Sequence, residues 1–208
     1  GINVAIRNAN DGISLAQTAE GALATITDAL QRMRELAVQS ANGTNGSGDR
    51  TNLDAEFQQL SSEITRIATQ TKFNGLAIID ADAGAQTFQV GANNGDTLDV
   101  TTVAVTTVAG DLLTAGTANT AITDIDTKLD AVNTDRATYG AAMSRLGFAI
   151  SNLQIAGENQ TAARGRIMDA DFAAETANLS RAQILQQAGN AMVAQANQLP
   201  QGVLALLR

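Results

Sequence analysis

The sequence predicts a mainly α-helical protein, an elongated antiparallel helical bundle or coiled-coil rod with a small β-hairpin region at one end. Three observations lead to this prediction. A heptad pattern of apolar residues runs through residues 122–153, two amphipathic stretches fill most of the first 70 residues, and Asn-Gly turns lie between short alternating segments. Many alanines and only 3% aromatic residues favour close packing of helices over a thick globular core.

The longest helix is predicted from about Thr120 to Arg166, because its large apolar residues follow one narrow face. They recur in steps of three and four, with Arg136 alone at a skipped position, which is the seam of a coiled coil. Such a helix would span roughly 65–70 Å, so other helices must cover the seam. The seam residues are Ile122, Ile125, Leu129, Val132, Tyr139, Met143, Leu146, Ile150 and Leu153.

Two further helices are predicted before this one. The first covers residues 2–42 and carries two apolar stripes, which indicates two partners or a broad buried face. A Gly-rich loop at residues 42–49 follows, and a second helix begins near Asn52 with an apolar seam at residues 53–67. We expect residues 122–153 to pack antiparallel against the first helix, with the second helix completing the bundle.

Two glycines interrupt the first predicted helix. Gly12 and Gly21 each cost about 1 kcal/mol relative to Ala inside a helix. We therefore expect a reason for them, and close approach of a neighbouring backbone is a better explanation than a hinge.

Two β-hairpins are predicted after the second helix. Asn-Gly between apolar residues at 73–76 is a two-residue hairpin signal, and alternation on both sides of a polar turn predicts a second hairpin at 88–100. We expect the alternation to continue as a strand through residues 101–107, followed by a linker at 111–121. The acidic residues of the second hairpin have no calcium-loop spacing, so turn chemistry explains them better than a metal site.

The last segment is predicted to be a separate helix. Asp169 or Asp171 can cap it, and we expect it to run to about Gln198 and to end at Pro200. Residues 182–207 carry no charge but include eight Gln and Asn, which argues against a membrane span. This composition is typical of a helix held between copies of itself, and a disordered amide-rich tail is the alternative. The apolar positions for such assembly are Leu179, Ile184, Leu185, Met192 and Leu199.

Composition excludes several classes of function. The chain has no Cys and no His, which removes Cys/His zinc sites, thiol and imidazole catalysis, and disulfides. The net charge of −8 and the absence of a basic patch argue against nucleic acid as a partner. Residues 80–135 hold nine Asp and one Lys, so the remainder is neutral and can pack against copies of itself. Paired carboxylates such as Asp124 and Asp126 lack a pocket-forming context, so we expect neither an enzyme nor a cofactor.

Six motifs resemble those of bacterial flagellin and occur in the order typical of that family. They are NANDGIS at 8–14, LQRMRELAVQSAN at 30–42, FNG at 73–75, FQVGAN at 88–93, SRAQILQQAG at 180–189 and LALLR at 204–208. The resemblance spans nearly the whole chain and implies a subunit of the flagellar filament. It also implies four regions: rod helices and first hairpin at 1–80, a short variable region at 81–117, the long rod helix at 118–166, and an inner-tube helix at 167–208.

The resemblance carries one departure that bears on assembly. The family's N-terminal inner helix is missing before Gly1, so we expect the chain to begin at the cut end of a longer protein. In the family that helix pairs with the C-terminal helix, and we therefore expect this chain alone not to form native filaments.

The resemblance also implies partners and a location. It implies a secreted, extracellular subunit that passes through the flagellar type III apparatus. Its partners would be other flagellin subunits, an export chaperone that grips residues 171–208, and the hook-associated junction and cap proteins. A vertebrate flagellin-sensing Toll-like receptor would read the rod. The implied receptor-binding residues are Gln31, Arg32, Met33, Arg34, Glu35, Leu36, Ala37, Val38 and Glu56.

Other functions stay open at this point. The hook–filament junction protein shares the terminal helices and the export route, although the motifs at 30–42 and 180–189 favour the filament subunit. Some flagellins carry an inserted zinc peptidase, which needs His ligands that this chain lacks. A coiled-coil scaffold unrelated to flagella is a third alternative.

Overall fold

A computed structural model describes residues 1–169 and 171–206, with side chains through residue 197. The described residues fall into two compact units, one formed by Gly1–Glu158 and one that begins at Asn159. The helices are α1 (Ile2–Ala41), α2 (Ser47–Gln70), α3 (Ala115–Met168) and α4 (Phe172–Leu206). The strands are β1 (Lys72–Phe73), β2 (Leu76–Ala77), β3 (Ala85–Gln89) and β4 (Thr97–Thr101).

The first unit is built on α1, and the predicted antiparallel packing of α3 against it is confirmed. Arg34 of α1 pairs with Asp126 of α3, and Glu20 pairs with Arg136, at 2.7 and 2.8 Å. Further along, Leu146 lies against Gly12. The residue number rises on α3 as it falls on α1, so the two helices run in opposite directions.

The heptad seam of α3 faces the core as predicted. Ile125, Val132, Tyr139 and Leu146 are buried. The seam positions Ile122, Leu129, Met143 and Ile150 are partly buried and pack against the same core.

The start of α3 differs from the prediction. The helix begins at Ala115 rather than near Thr120, so the end of the expected linker is helical. Thr114 and Thr117 cap it reciprocally, since each hydroxyl oxygen accepts a hydrogen bond from the other's backbone N–H, both at 3.1 Å. The additional turn buries Ala118 and Ala121.

Helix α2 runs antiparallel to α1 and is the third helix of the bundle, after α1 and α3. It begins at Ser47, five residues before the predicted start near Asn52, because the Asp49 carboxylate accepts a hydrogen bond from the N–H of Gly46 at 3.0 Å. Phe57 and Ile64 are buried in the core. The Arg50 guanidinium donates to the carbonyl of Ser40 at 2.9 Å and ties the two helices together beside the loop.

Both predicted hairpins are present. Phe73 pairs with Leu76, and the two turn residues Asn74 and Gly75 have φ of +50° and +86°, as a type I′ turn requires. Strands β3 and β4 pair antiparallel over five residue pairs, from Ala85–Thr101 to Gln89–Thr97. β3 packs on α1, where the side-chain amide of Asn8 donates to the carbonyl of Gln89 at 3.0 Å.

The expected strand at residues 101–107 is wrong beyond Thr101. β3 begins at Ala85, which pairs with Thr101, so later residues have no partner strand there. Residues 102–112, called the strap below, are without regular secondary structure and lie along the helices instead. The strap covers the remaining side of the bundle, and its own side chains Val108 and Leu112 are buried in the core.

Helix side chains satisfy the backbone of the strap. At its end, the Asp54 carboxylate accepts from Leu112 N–H at 2.8 Å and the Ser40 hydroxyl donates to the Leu112 carbonyl at 2.6 Å. At its start, the Tyr139 hydroxyl accepts from Val103 N–H at 3.2 Å. These side chains, together with the backbone hydrogen bond from Val105 N–H to the Ile79 carbonyl at 3.0 Å, replace the ladder that a neighbouring strand would provide.

The glycine expectation is only partly right. A Cβ at Gly12 would lie 3.0 Å from Leu146 Cδ1 and 3.2 Å from Phe88 Cδ2, so the close neighbours are side chains rather than backbone. At Gly21 a Cβ would meet nothing within 4 Å, and the prediction of a close approach there is wrong.

The second unit contains the end of α3 and all of α4. Asp171 caps α4 as one of the two predicted candidates, because its Oδ1 accepts from the N–H groups of Ala173 and Ala174 at 3.0 and 3.2 Å. The prediction that the helix ends at Pro200 is wrong, since the backbone stays helical to Leu206. A proline removes one N–H donor and crowds the carbonyl four residues earlier, which can kink a long helix without ending it.

Candidate interaction surfaces

The predicted receptor motif lies on α1 and divides into an exposed and a buried part. Gln31, Arg34, Glu35 and Val38 are exposed and, with Gln39, line a shallow surface groove. This groove is the outward face of α1, because residues three, four and seven apart share one side of a helix.

The buried part of the motif lies in the hydrophobic core. Met33, Leu36 and Ala37 are at most 1% exposed. Three apolar residues at this spacing face the other helices of the bundle, so they contribute to its packing.

The structure brings Arg32 and Glu56 together, which the sequence could only place on two separate helices. Arg32 Nε lies 2.8 Å from Glu56 Oε1, and Arg32 Nη1 lies 2.9 Å from Glu35 Oε2. The hydrogen bond to Glu56, and next the one to Glu35, raise the pKa of the Arg32 guanidinium. All three side chains are about half or more exposed, so the cluster is a fixed charge pattern on the surface with little effect on stability.

A second ion pair borders the same groove, and sequence reasoning missed it. Arg34 contacts Asp126 of α3 through Nε to Oδ1 at 2.7 Å and Nη2 to Oδ2 at 3.3 Å. This bidentate hydrogen bonding lowers the pKa of Asp126. The partners are 92 residues apart, and no local pattern in the sequence could have paired them.

The predicted assembly residues lie on α4, and those described are exposed. Leu179, Ile184, Leu185 and Met192 expose 58%, 65%, 65% and 71% of their surface, whereas the side chain of Leu199 lies outside the described residues. Phe172 and Val193 are also exposed, and sequence reasoning did not single them out. Throughout residues 171–197 every side chain is exposed.

Potential metal ligands do not cluster in the described part of the chain. Within it, no three Asp or Glu side chains lie close enough to hold a metal ion. Its helices also include none with the length and apolar character needed to cross a membrane.

Long antiparallel helices capped by small hairpins define a class of helical rod proteins, and comparisons with known proteins identify the family. The family model of the bacterial flagellin N-terminal helical region matches residues 1–84. The model of the flagellin C-terminal helical region matches residues 122–207. The chain belongs to the bacterial flagellin family.

Individual relatives agree with the family models. A flagellin of Halalkalibacterium halodurans is 48% identical over the whole chain, which covers 79% of that protein. A flagellin of Xenorhabdus nematophila is 39% identical, again over the whole chain and 81% of the relative. Among solved structures, a Bacillus cereus flagellin superposes with a TM-score of 0.66 at 37% identity, over 76% of this chain and 94% of that one.

Proposed function

We propose that this chain is the structural subunit of an extracellular bacterial flagellar filament. The observation that carries the proposal is α4, whose apolar side chains are exposed and whose residues 182–206 carry no charge. Exposed apolar surface of this extent marks a site for protein contacts. A helix without charge can be buried between subunits with no cost for desolvating ions.

The same helix supports a proposal about export. An apolar α4 would be prone to premature association inside the cell, so a flagellar export chaperone would cover residues 171–208 until the type III apparatus secretes the subunit. The chaperone before export, and the neighbouring subunits in the filament, would contact the same side chains. These are Leu179, Ile184, Leu185 and Met192.

The filament proposal is tested by polymerisation, on preformed flagellin seeds, of the chain extended by a flagellin N-terminal inner helix, because the chain alone is not expected to form native filaments. We expect straight growth into micrometre filaments, and Leu185→Ala should raise the critical concentration about tenfold or more, which is about 1.4 kcal/mol. Gln187→Ala, which truncates an exposed amide on the same helix, is the matched control and should change it little. Failure of the extended chain without substitutions to elongate seeds would contradict the proposal, and structures that only cap hooks would indicate a junction protein.

We also propose that the exposed part of the α1 motif is the surface that a vertebrate flagellin-sensing Toll-like receptor contacts. Arg32 and Glu56, held 2.8 Å apart, present a fixed charge pair next to the groove at Gln31 and Val38. Leu36 acts only by holding α1 in place. The support is the exposure of these residues and the ion pairs that orient them before any partner binds.

Substitutions of side chains that are similarly exposed test the receptor proposal. Arg32→Ala and Glu56→Ala should weaken signalling in a reporter-cell assay with unchanged circular dichroism, because they remove surface charges and no core contact. Arg66→Ala is the control, since Arg66 makes a comparable exposed ion pair with Glu63 elsewhere on α2. Equal potency of Arg32→Ala and Arg66→Ala would remove this surface as the receptor contact.

A further inference from the structure

The side chains that oxidants attack most readily are few in this chain. It has no Cys, no Trp and no His, and its single tyrosine, Tyr139, is fully buried. The oxidation chemistry of the molecule therefore falls on its four methionines, whose thioether sulfur is the soft nucleophile that remains.

The four methionines divide into two that the core covers, wholly or in part, and two that are exposed. Met33 is 0% exposed, and Met143 is partly buried and packs against the same core. Met168 and Met192 expose 69% and 71% of their surface. Because an oxidant must reach the sulfur to react with it, the exposed pair should react first and the core should protect the other two.

The two exposed methionines differ in their surroundings along the chain. Met168 is the last residue of α3 and has the charged neighbours Arg166 and Asp169 in sequence. Met192 lies on α4 within residues 182–206, which carry no charge, and follows Leu185 by seven residues. Seven residues are about two turns of a helix, so Met192 and Leu185 share one line of α4. Met192 thus belongs to the apolar surface proposed above for contacts in the filament.

We propose that Met192 is a redox-sensitive modification site, at which reversible oxidation by a peroxide blocks assembly of the subunit. This regulation rests on the proposed function in a filament, because it acts on the surface through which α4 would join neighbouring subunits. The oxidant is hydrogen peroxide or an organic hydroperoxide, and the modified residue is methionine sulfoxide.

The reaction with hydrogen peroxide transfers one oxygen atom to the thioether. A lone pair of Met192 Sδ attacks one peroxide oxygen, and the S–O bond forms as the O–O bond breaks. Sulfur loses two electrons, and the departing hydroxide takes the proton from the transferred oxygen and leaves as water. The product is neutral, so the net charge of the chain does not change. A methionine sulfoxide reductase, with electrons from a thiol reductant, reverses the step and releases the oxygen as water.

The position of the sulfoxide makes it oppose assembly. It replaces a flexible apolar thioether with a strongly polar S=O group, which accepts hydrogen bonds from water in the free chain. Burying that group between subunits without a donor costs free energy, and residues 182–206 of a neighbouring copy supply no charged donor. Met192 is exposed in the free chain, so the same modification should leave the fold of the chain unchanged.

Peptide mapping by mass spectrometry tests the site. During a graded treatment of the chain with hydrogen peroxide, Met192 and Met168 should each gain one oxygen atom well before Met33 does. In filaments of the chain extended by a flagellin N-terminal inner helix, Met192 should react about tenfold more slowly than in free subunits, because access to the sulfur controls the rate. Equal oxidation of Met33 and Met192 in the free chain, or equal rates at Met192 in filaments and in free subunits, would overturn the proposal.

Polymerisation of the extended chain on preformed flagellin seeds tests the consequence. Oxidation of the subunit should raise its critical concentration about tenfold, because a polar group is buried, without changing its circular dichroism. A pair of methionine sulfoxide reductases, one for each sulfoxide epimer, should restore growth. No effect of oxidation on growth, or no restoration by the reductases, would overturn the proposal.

Two leucine variants assign the effect to one of the exposed methionines, each variant being compared with its own untreated sample. Met168→Leu should keep the loss of growth after peroxide treatment and its restoration by the reductases. Met192→Leu should remove the effect of peroxide, since its α4 has no thioether left to oxidise. Equal sensitivity of Met192→Leu and the unsubstituted chain, or insensitivity of Met168→Leu, would overturn the assignment to Met192.

These outcomes are separable from the filament proposal itself. If the extended chain elongates seeds and peroxide changes nothing, the subunit function stands and the redox site is refuted. If the untreated extended chain does not elongate seeds, the filament proposal fails and the regulation fails with it.

Discussion

Truncation of Leu146 tests the register of the two long helices most directly. Leu146 is fully buried, and its Cδ1 would lie 3.0 Å from a Cβ at Gly12 of α1. Removing a buried leucine side chain costs about 2–5 kcal/mol, with the larger values where the cavity stays open. For a unit of this size that corresponds to a fall in melting temperature of roughly 4–20 °C.

The magnitude should depend on residue 12. In the unmodified protein, Gly12→Ala gains about 1 kcal/mol of helix propensity but meets Leu146 and Phe88, and overpacking costs about 1–3 kcal/mol. In the Leu146→Ala background the 3.0 Å contact is gone and the new methyl group partly fills the cavity. We therefore expect Gly12→Ala to destabilise or be neutral alone and to stabilise the truncated variant, with a coupling energy of about 1 kcal/mol or more.

Urea unfolding followed by tyrosine fluorescence measures this cycle. Tyr139 is the sole tyrosine, the chain has no Trp, and its ring is buried in the first unit, so the signal reports that unit. Gly21→Ala is the matched control, because its Cβ would meet nothing within 4 Å and should stabilise both backgrounds equally by about 1 kcal/mol. Additive effects of Gly12→Ala and Leu146→Ala would refute the register between α1 and α3.

Three further predictions concern the core and the strap. Tyr139→Phe should lower the free energy of unfolding by about 1–3 kcal/mol, measured by circular dichroism, because Val103 N–H loses its acceptor inside a partly buried site. Leu36→Ala should lower the free energy of unfolding by about 2–5 kcal/mol, measured by the same method, because it leaves a cavity in the core. Any loss of signalling by this variant would then reflect lost stability. Burial raises the pKa of Asp135, so the folded state holds that proton more tightly than the unfolded state. The contribution of Asp135 to the free energy of unfolding is therefore most favourable below the usual aspartate pKa, and it is lost as the pH rises through the raised pKa. Asp135→Asn should therefore stabilise the protein, relative to the unmodified chain, more at pH 7 than at pH 3. An equal difference between variant and unmodified chain at both pH values would contradict this.

Local patterns were sufficient for the helices and the turns. The heptad at residues 122–153 predicted both the long helix and its partner face, because burying an apolar stripe is the main stabilisation available to such a helix. Asn74 and Gly75 predicted the first hairpin, since few residues adopt the left-handed backbone that its turn requires. The motif at 30–42 is sufficient on its own to indicate the family.

Contacts between distant residues decided the rest. Val/Thr alternation in the strap indicated a strand, but a strand needs a partner, and here Ser40, Asp54 and Tyr139 supply the hydrogen bonds instead. Whether Leu36 faces a receptor or the core depends on which stripe of α1 the other helices cover.

The sequence by itself determined the helices, the hairpins and the charge-free last segment, because each follows from interactions within a few residues along the chain. Only the tertiary structure decided that Gly12 faces Leu146, that Arg32 meets Glu56 and that Phe148 is left exposed. Those outcomes depend on how helices far apart in the chain are aligned, and the free energy that sets this alignment is summed over the whole core rather than encoded at any one position.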